Sequence, residues 1–282
     1  MRFGFVLPFG DAALAADLAL EAEEAGWDGF FVWEPVWGID AWVCLTAAAM
    51  TTSTIRLGTM LTPPSRMRPW KLASEAATLD NLSGGRLILT VGLGAIDSGF
   101  EEFGEETDRR TRAELMDESL DIMTGLWSGE PFTYAGKHYS VRPLEEMPPP
   151  PPPLQRPGIP IWVVGAWGSR KSMDRAVGYD GILPQVKTAS GAFDPVTPAV
   201  VSAVRDYAVQ CRDSPLDIVV EGSSGGNPAA EAAQLSELES AGATWWIEGM
   251  WDARDDPDWV RRRITQGPPA VGAGEELSGG EL

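Results

Sequence analysis

The stretch IRLGTMLTPPSRMRPWKLASEAATLDNLSGGRLILTVGLG, residues 55–94, reads as one strand–helix–strand unit. Ile55 to Leu61 is a short apolar run of strand type, and Pro63-Pro64 ends it. From Pro69 to Leu82 the apolar residues return at helical spacing. Pro69 suits the first turn, where a missing N–H costs nothing. Ser83-Gly84-Gly85 stops the helix, and Arg86 to Val91 is a second apolar run. Strands that are apolar throughout belong to parallel sheets covered by helices.

The same alternation extends in both directions. Upstream lie a strand at Phe3 to Leu7 and a helix at about Asp11 to Ala25, with Leu14, Leu18, Ala22 and Ala25 on one stripe. A strand at Gly29 to Trp33 and a helix at about Asp40 to Met50 follow. Downstream the spacing changes, and Gly92 to about Pro160 reads as one long insertion. It holds a helix near Thr107 to Trp127, whose apolar face is Met116, Leu120, Met123 and Trp127. A hairpin, FTYAGKHYSV, comes next, and the prolines Pro148 to Pro153 are expected to be extended. Further strands are expected at Ile161 to Val164, Asp180 to Leu183, Asp217 to Val220 and Thr244 to Glu248. A last helix is expected at about Pro257 to Ile264.

Eight such units predict an α/β fold, a (β/α)8 TIM barrel with an insertion after strand 4. A single barrel over 1–266 is expected, with the insertion at about 95–160. The tail 267–282, GPPAVGAGEELSGGEL, lacks apolar periodicity and reads as disordered. The alternative is an open doubly wound sheet. Its glycine fingerprint is missing from the turn LPFGDAA after the first strand.

Composition narrows the function. The 282 residues are 44% hydrophobic, enough for a large core, and 22 basic against 41 acidic residues leave a net charge of −19. So acidic a chain repels nucleic acid and anionic membrane, and neither is an expected partner. No run of about 18 apolar residues is present to span a bilayer. The N-terminus lacks the features of a signal peptide, so a cytoplasmic location is expected. Cys44 and Cys211 have no second cysteine or histidine at metal spacing. No metal site is expected, and both cysteines read as buried thiols in a reducing compartment.

Three segments carry a family resemblance: residues 55–94, residues 101–141 (EEFGEETDRRTRAELMDESLDIMTGLWSGEPFTYAGKHYSV) and residues 155–184 (QRPGIPIWVVGAWGSRKSMDRAVGYDGILP). Together with RFGFVLPFGD and EAEEAGWDGFFVWE, the chain resembles the luciferase-like family of flavin- and deazaflavin-dependent oxidoreductases. LDNLSGGRLILTVGLG is the most specific piece, and the nearest likeness is to the branch using coenzyme F420, with FMN users on the same scaffold. The resemblance implies F420, alternatively FMN, at the C-terminal mouth of the barrel. It also implies a homodimer, and a non-proline cis peptide between Met60 and Leu61 that presents a backbone bulge to the cofactor ring.

Barrel logic places the site at the strand exits. The cofactor candidates are Phe9, Met60, Leu61, Thr62, Gly92, Leu93, Gly94, Gly165, Ala166, Trp167, Gly168, Ser169 and Arg170. Gly92-Leu93-Gly94 suits a close ligand contact or, more plainly, a strand exit. Gly165 to Arg170 precedes a helix, and by family analogy this turn holds the cofactor phosphate. The plainer reading is a strand–helix turn capped by Ser169. Gly222 to Gly226 is the rival loop, equally consistent with a lid. Where relatives carry histidine in a W-D-H pattern, this chain reads Trp33-Glu34-Pro35, and its only histidine, His138, falls in the hairpin. Glu34 is therefore the catalytic candidate if burial raises its pKa. Pairing with an arginine is the other reading. Trp33, Trp37, Trp42, Trp162 and Trp167 can stack on a tricyclic ring, though most of the tryptophans are expected in the core.

The leading expectation is hydride transfer between F420 and a small organic substrate. Alternatives are FMN-dependent monooxygenation, a non-catalytic flavin or deazaflavin binder, and a phosphate-binding barrel isomerase or aldolase. The last expects a strand-end lysine or carboxylate pair, and only Glu34, Glu221 and Glu248 qualify.

Overall fold

Short polar side chains start most of the helices. Asp11, Asp40, Asp108, Thr197, Asn227 and Asp256 each accept hydrogen bonds from backbone N–H groups two or three residues on, satisfying donors the first turn leaves open. The computed structural model describes residues 1–143, 150–188, 193–253 and 256–269. Its first half alternates β1 (Arg2–Leu7), α1 (Ala12–Glu24), β2 (Gly29–Val32), α2 (Ala41–Thr51), β3 (Arg56–Thr59), α3 (Pro69–Ser83) and β4 (Leu87–Val91). The insertion contributes α4 (Arg109–Trp127) and a hairpin of β5 (Tyr134–Ala135) and β6 (Ser140–Val141). Alternation resumes with β7 (Ile161–Ala166), α5 (Arg170–Ala176), β8 (Gly181–Lys187), a short β9 (Phe193–Asp194) and α6 (Pro198–Cys211). It ends with β10 (Asp217–Gly222), α7 (Pro228–Ala241), β11 (Trp245–Gly249) and α8 (Pro257–Thr265).

The sheet runs β10-β11-β1-β2-β3-β4-β7-β8, and β8 pairs back onto β10 through Gly181–Asp217 and Ile182–Ile218. All these pairings are parallel. The eight strands thus close a barrel, and the doubly wound alternative is excluded. β9 adds to β8 as an antiparallel strand that the apolar pattern did not reveal.

Large rings fill the interior. Phe31 stacks on Trp162 at 5.5 Å between ring centres, and Trp162 meets Trp245 at 5.2 Å. Glycine makes this possible: a Cβ at Gly4, Gly29 or Gly58 would stand 2.7 Å from the Phe31 ring. One at Gly181 would stand 2.2 Å from Trp162. A second, larger core lies between the strands and the helices.

Several expectations change. Cys44 is buried, but Cys211 ends α6 and is exposed. Six of the twelve tryptophans are buried, so the core takes half of them rather than most. Gly165 and Ala166 belong to the end of β7, not to a loop. The Met60–Leu61 bond is cis, as the resemblance implied. Pro148 and Pro149, and the tail from residue 270, lie outside the described residues.

Candidate active site at the barrel mouth

A cavity of about 510 Å³ opens at the C-terminal ends of the strands. Its apolar wall is Trp33, Met60, Leu61, Val164 and Leu183. Glu34, Gln185 and Glu221 supply polar groups from the ends of β2, β8 and β10. Arg109 and Arg112 reach in from the start of α4. A pocket that is mostly apolar with a few convergent polar groups suits a small organic ligand.

Of the expected residues, Glu34, Met60, Leu61, Leu93, Gly94 and Ala166 line this cavity. Gly92 packs just behind the wall, where a Cβ would stand 3.0 Å from Leu61 and 3.1 Å from Val164. Thr62 is buried beneath Glu34. Phe9 and Trp167 are half-buried and pack on the outer core. Gly168 has a φ of +86°, and Ser169 starts α5 without a side-chain cap. Arg170 lies in an exposed ion pair with Asp174 at 3.6 Å. Gly165 is glycine for packing, because a Cβ there would stand 2.6 Å from Ile182 and 3.3 Å from Met173. The rival loop has already engaged its amides. Ser224 N–H donates to Glu248, and Gly225 and Gly226 N–H donate to Glu231.

Glu34 is held by a chain of hydroxyls. Its Oε2 is 2.5 Å from Thr62 Oγ1, which is 2.9 Å from Thr59 Oγ1, and Thr59 donates to the Thr90 carbonyl at 3.2 Å. Burial pushes the carboxyl up to about 7, and the Thr62 hydrogen bond and the Arg66 charge only partly oppose that. Arg66 does not pair with the carboxylate: it grips the carbonyls of Glu34 and Pro35 at 3.2 and 2.9 Å. Two nearby states of one proton are therefore available. Protonated, Glu34 donates into the chain; ionised, it accepts from Thr62.

Across the mouth, Glu221 accepts from Trp251 Nε1–H, and surrounding protein raises its pKa although the carboxylate opens to the cavity. Trp251 meets Trp33 edge to face at 5.8 Å. Trp33 alone of the five expected stacking tryptophans lines the cavity. Trp37 is exposed, Trp42 and Trp162 are buried, and Trp251 was not foreseen. His138 sits in the hairpin with Nε2 3.1 Å from Glu114. Among the described residues no cluster of three or more His, Cys, Asp or Glu is placed to hold a metal.

Comparison with known proteins bears on this geometry. Residues 1–192 match the family model of the luciferase-like monooxygenases. The chain belongs to the luciferase-like monooxygenase family. A Mycobacterium tuberculosis protein, whose name proposes a coenzyme F420-dependent oxidoreductase, is 36% identical over 182 residues, 60% of this chain and 50% of that protein. The match spans about half the length of the curated relatives. Two solved structures share the fold. The F420-dependent tetrahydromethanopterin reductase of Methanopyrus kandleri is 18% identical, with a TM-score of 0.75 over 94% of this chain and 98% of its own. The oxygenating constituent of Pseudomonas putida 3,6-diketocamphane monooxygenase, in complex with FMN, is 16% identical, with a TM-score of 0.72 over 96% of this chain and 98% of its own.

Proposed function

We propose that this luciferase-like chain is an oxidoreductase that binds the deazaflavin F420, with FMN as the alternative, in the barrel-mouth cavity. One observation carries the reading: an apolar cavity wall built by Met60, Leu61, Val164 and Leu183 faces a carboxyl tuned to titrate near neutral pH. When bound, the cofactor supplies hydride transfer to or from a small organic substrate. The M. tuberculosis relative favours F420, and the FMN-bound structure keeps the flavin alternative, with monooxygenation as its chemistry.

The residues fit such a group. Gly92 has no room for a side chain between Leu61 and Val164, and Gly94, with a φ of +78°, has none beside Phe100 and Pro63. Gly94 therefore keeps bare backbone against the cavity. Met60 and Leu61, on the apolar wall, would hold the cofactor ring. Glu34 would hold or give up a proton at Oε2 on the cavity wall, one residue before Pro35, which stands where the family pattern has histidine. The apolar wall excludes water. The reading is tested by absorbance and fluorescence titration with F420 and FMN, followed by turnover on a panel of carbonyl and enone substrates. Binding without turnover on any of them would favour a non-catalytic binder.

The homodimer is likewise our proposal. Val43 and Met50 on α2, and Trp70 and Leu82 on α3, are exposed apolar side chains suited to a second copy.

A further inference from the structure

Side chains alternate along a strand, so the residue two places beyond an interior position faces the barrel mouth. Phe31 on β2, Val219 on β10 and Ile247 on β11 belong to the interior cluster. Two residues further stand Trp33, Glu221 and Gly249, and Trp33 and Glu221 line the mouth cavity. Gly249 leaves its place in this layer to its neighbours: a Cβ there would stand 2.9 Å from Trp251 Nε1 and 3.1 Å from Glu221 Oε1. Trp251 enters that space from the short helical turn after β11 and donates Nε1–H to Glu221 Oε1. Its ring and that of Trp33 meet at 87° with centres 5.8 Å apart, so the two indoles form a corner and not a stack.

The carboxylate in this corner lacks a cation. Surrounding protein raises its pKa, the Trp251 bond opposes that, and no charged side chain among the described residues acts on it. Basic groups of the cavity are engaged elsewhere: Arg112 donates to the carbonyls of Leu93 and Gly94, and Lys187 lies over the Phe193 ring at 5.3 Å. Glu34, by contrast, is bonded to the Thr62 hydroxyl. A carboxylate partly withdrawn from water with no counter-charge is disfavoured until a cation or a proton reaches it. Indole faces attract cations as well. A chain of net charge −19 draws them toward its surface.

We propose that Glu221, Trp33 and Trp251 form a cation subsite of the barrel mouth that takes the ammonium group of a small organic ligand. The carboxylate supplies the charge, and the rings supply the apolar, electron-rich walls that suit a trimethylammonium or protonated amine head. As a substrate feature the inference rests on the oxidoreductase reading; as a binding site it does not. It narrows the small organic substrate to one that carries an amine or quaternary ammonium group.

The test is calorimetric titration of the full chain with choline and with its neutral tert-butyl isostere, which keeps the shape and lacks the charge. Wild type is expected to bind choline about 10- to 100-fold more tightly than the isostere, the worth of a charge-assisted contact joined to a cation–π contact. Glu221→Gln keeps an acceptor for Trp251 and should abolish that preference. Trp251→Leu, at an exposed residue, should weaken choline by about 2- to 30-fold and the isostere less. Equal binding of the two ligands by wild type, or binding of neither, would overturn the subsite. A preference that survives Glu221→Gln would place the cation on the acidic surface and overturn it too. Titration of the same protein with F420 and FMN separates the two readings. Cofactor binding without a choline preference overturns the subsite and leaves the oxidoreductase reading standing; a choline preference without cofactor binding does the opposite. With the reduced cofactor supplied, a carbonyl substrate bearing a trimethylammonium group should show a higher kcat/KM than its tert-butyl isostere, and equal values would overturn the substrate class.

Discussion

In the proposed function, Glu34 is the residue on which the chemistry turns. Its carboxyl titrates at about 7 rather than the ordinary 4.5, because burial outweighs the Thr62 hydrogen bond and the Arg66 charge. Glu34→Gln should lower kcat by about 10²- to 10⁴-fold, the usual worth of a positioned acid or base, and abolish the inflection near pH 7. Cofactor affinity should change little. An unchanged pH profile in this variant would remove Glu34 from proton transfer. Stability moves the other way. A carboxyl with a raised pKa stabilises the fold below 4.5, where it is neutral in both states, relative to above 7, and the loss accrues between those values. Glu34→Gln should therefore be more stable than wild type at pH 8, by about 1–3 kcal/mol, and equal to it below pH 4.5. Thr62→Val removes a bond that favours the charged form, so the inflection should shift upward. A downward shift would mean that Thr62 acts on something else.

Legibility at this scale was uneven. Trp33-Glu34-Pro35 stood out against a family pattern, so Glu34 was readable. Arg112 was not, although a signal existed: it is a charged residue on the apolar stripe of a helix whose stripe was already drawn. Gly165 can be read in sequence only as a glycine at a strand exit, because sequence does not record which neighbour forbids its side chain. Here that neighbour is Ile182.

Elements are joined at the bottom of the barrel by two charged residues. Arg86, buried at the entry to β4, donates to the carbonyls of Ser83, Ala49, Thr52 and Ile55 and to the Thr52 hydroxyl. It ties the ends of α2 and α3 to the start of β3. Arg86→Met leaves those carbonyls unpaired and should cost about 2–4 kcal/mol, read as a lower denaturant midpoint. A cost within 0.5 kcal/mol, the range of ordinary surface changes, would show that the carbonyls find other partners. On the neighbouring helix, Glu23 accepts from the N–H groups of Ser53, Thr54 and Ile55. Burial opposes its charge, but those donors win and hold the carboxyl at about 2. A lowered carboxyl stabilises fully above 4.5 and loses that contribution as pH falls toward 2. Glu23→Gln should cost about 1–2 kcal/mol at pH 7 and nothing near pH 2, by chemical denaturation. The barrel strands and long helices were readable because apolar runs and helical periodicity report burial directly. β9 escaped because two exposed residues carry no such pattern.

For the whole molecule, closure depends on small residues beside large ones. Gly181 sits where β8 meets both Trp162 and the closing strand β10. Gly181→Val should lower Tm by many degrees, and an unchanged Tm would show that Trp162 can move aside. Sedimentation at micromolar concentration should give a species at twice the 30.4 kDa chain mass, and a single species at the chain mass would rule out the dimer. Closure itself was foreseeable from eight repeated units. The cavity's contents were not, because its walls come from strand exits and an insertion far apart in sequence. The most direct test of the account is titration of the purified chain with F420 and with FMN, followed by cofactor absorbance and fluorescence. Saturable binding at micromolar concentration or tighter, with F420 ahead of FMN, is expected, whereas binding of neither would contradict the proposed function.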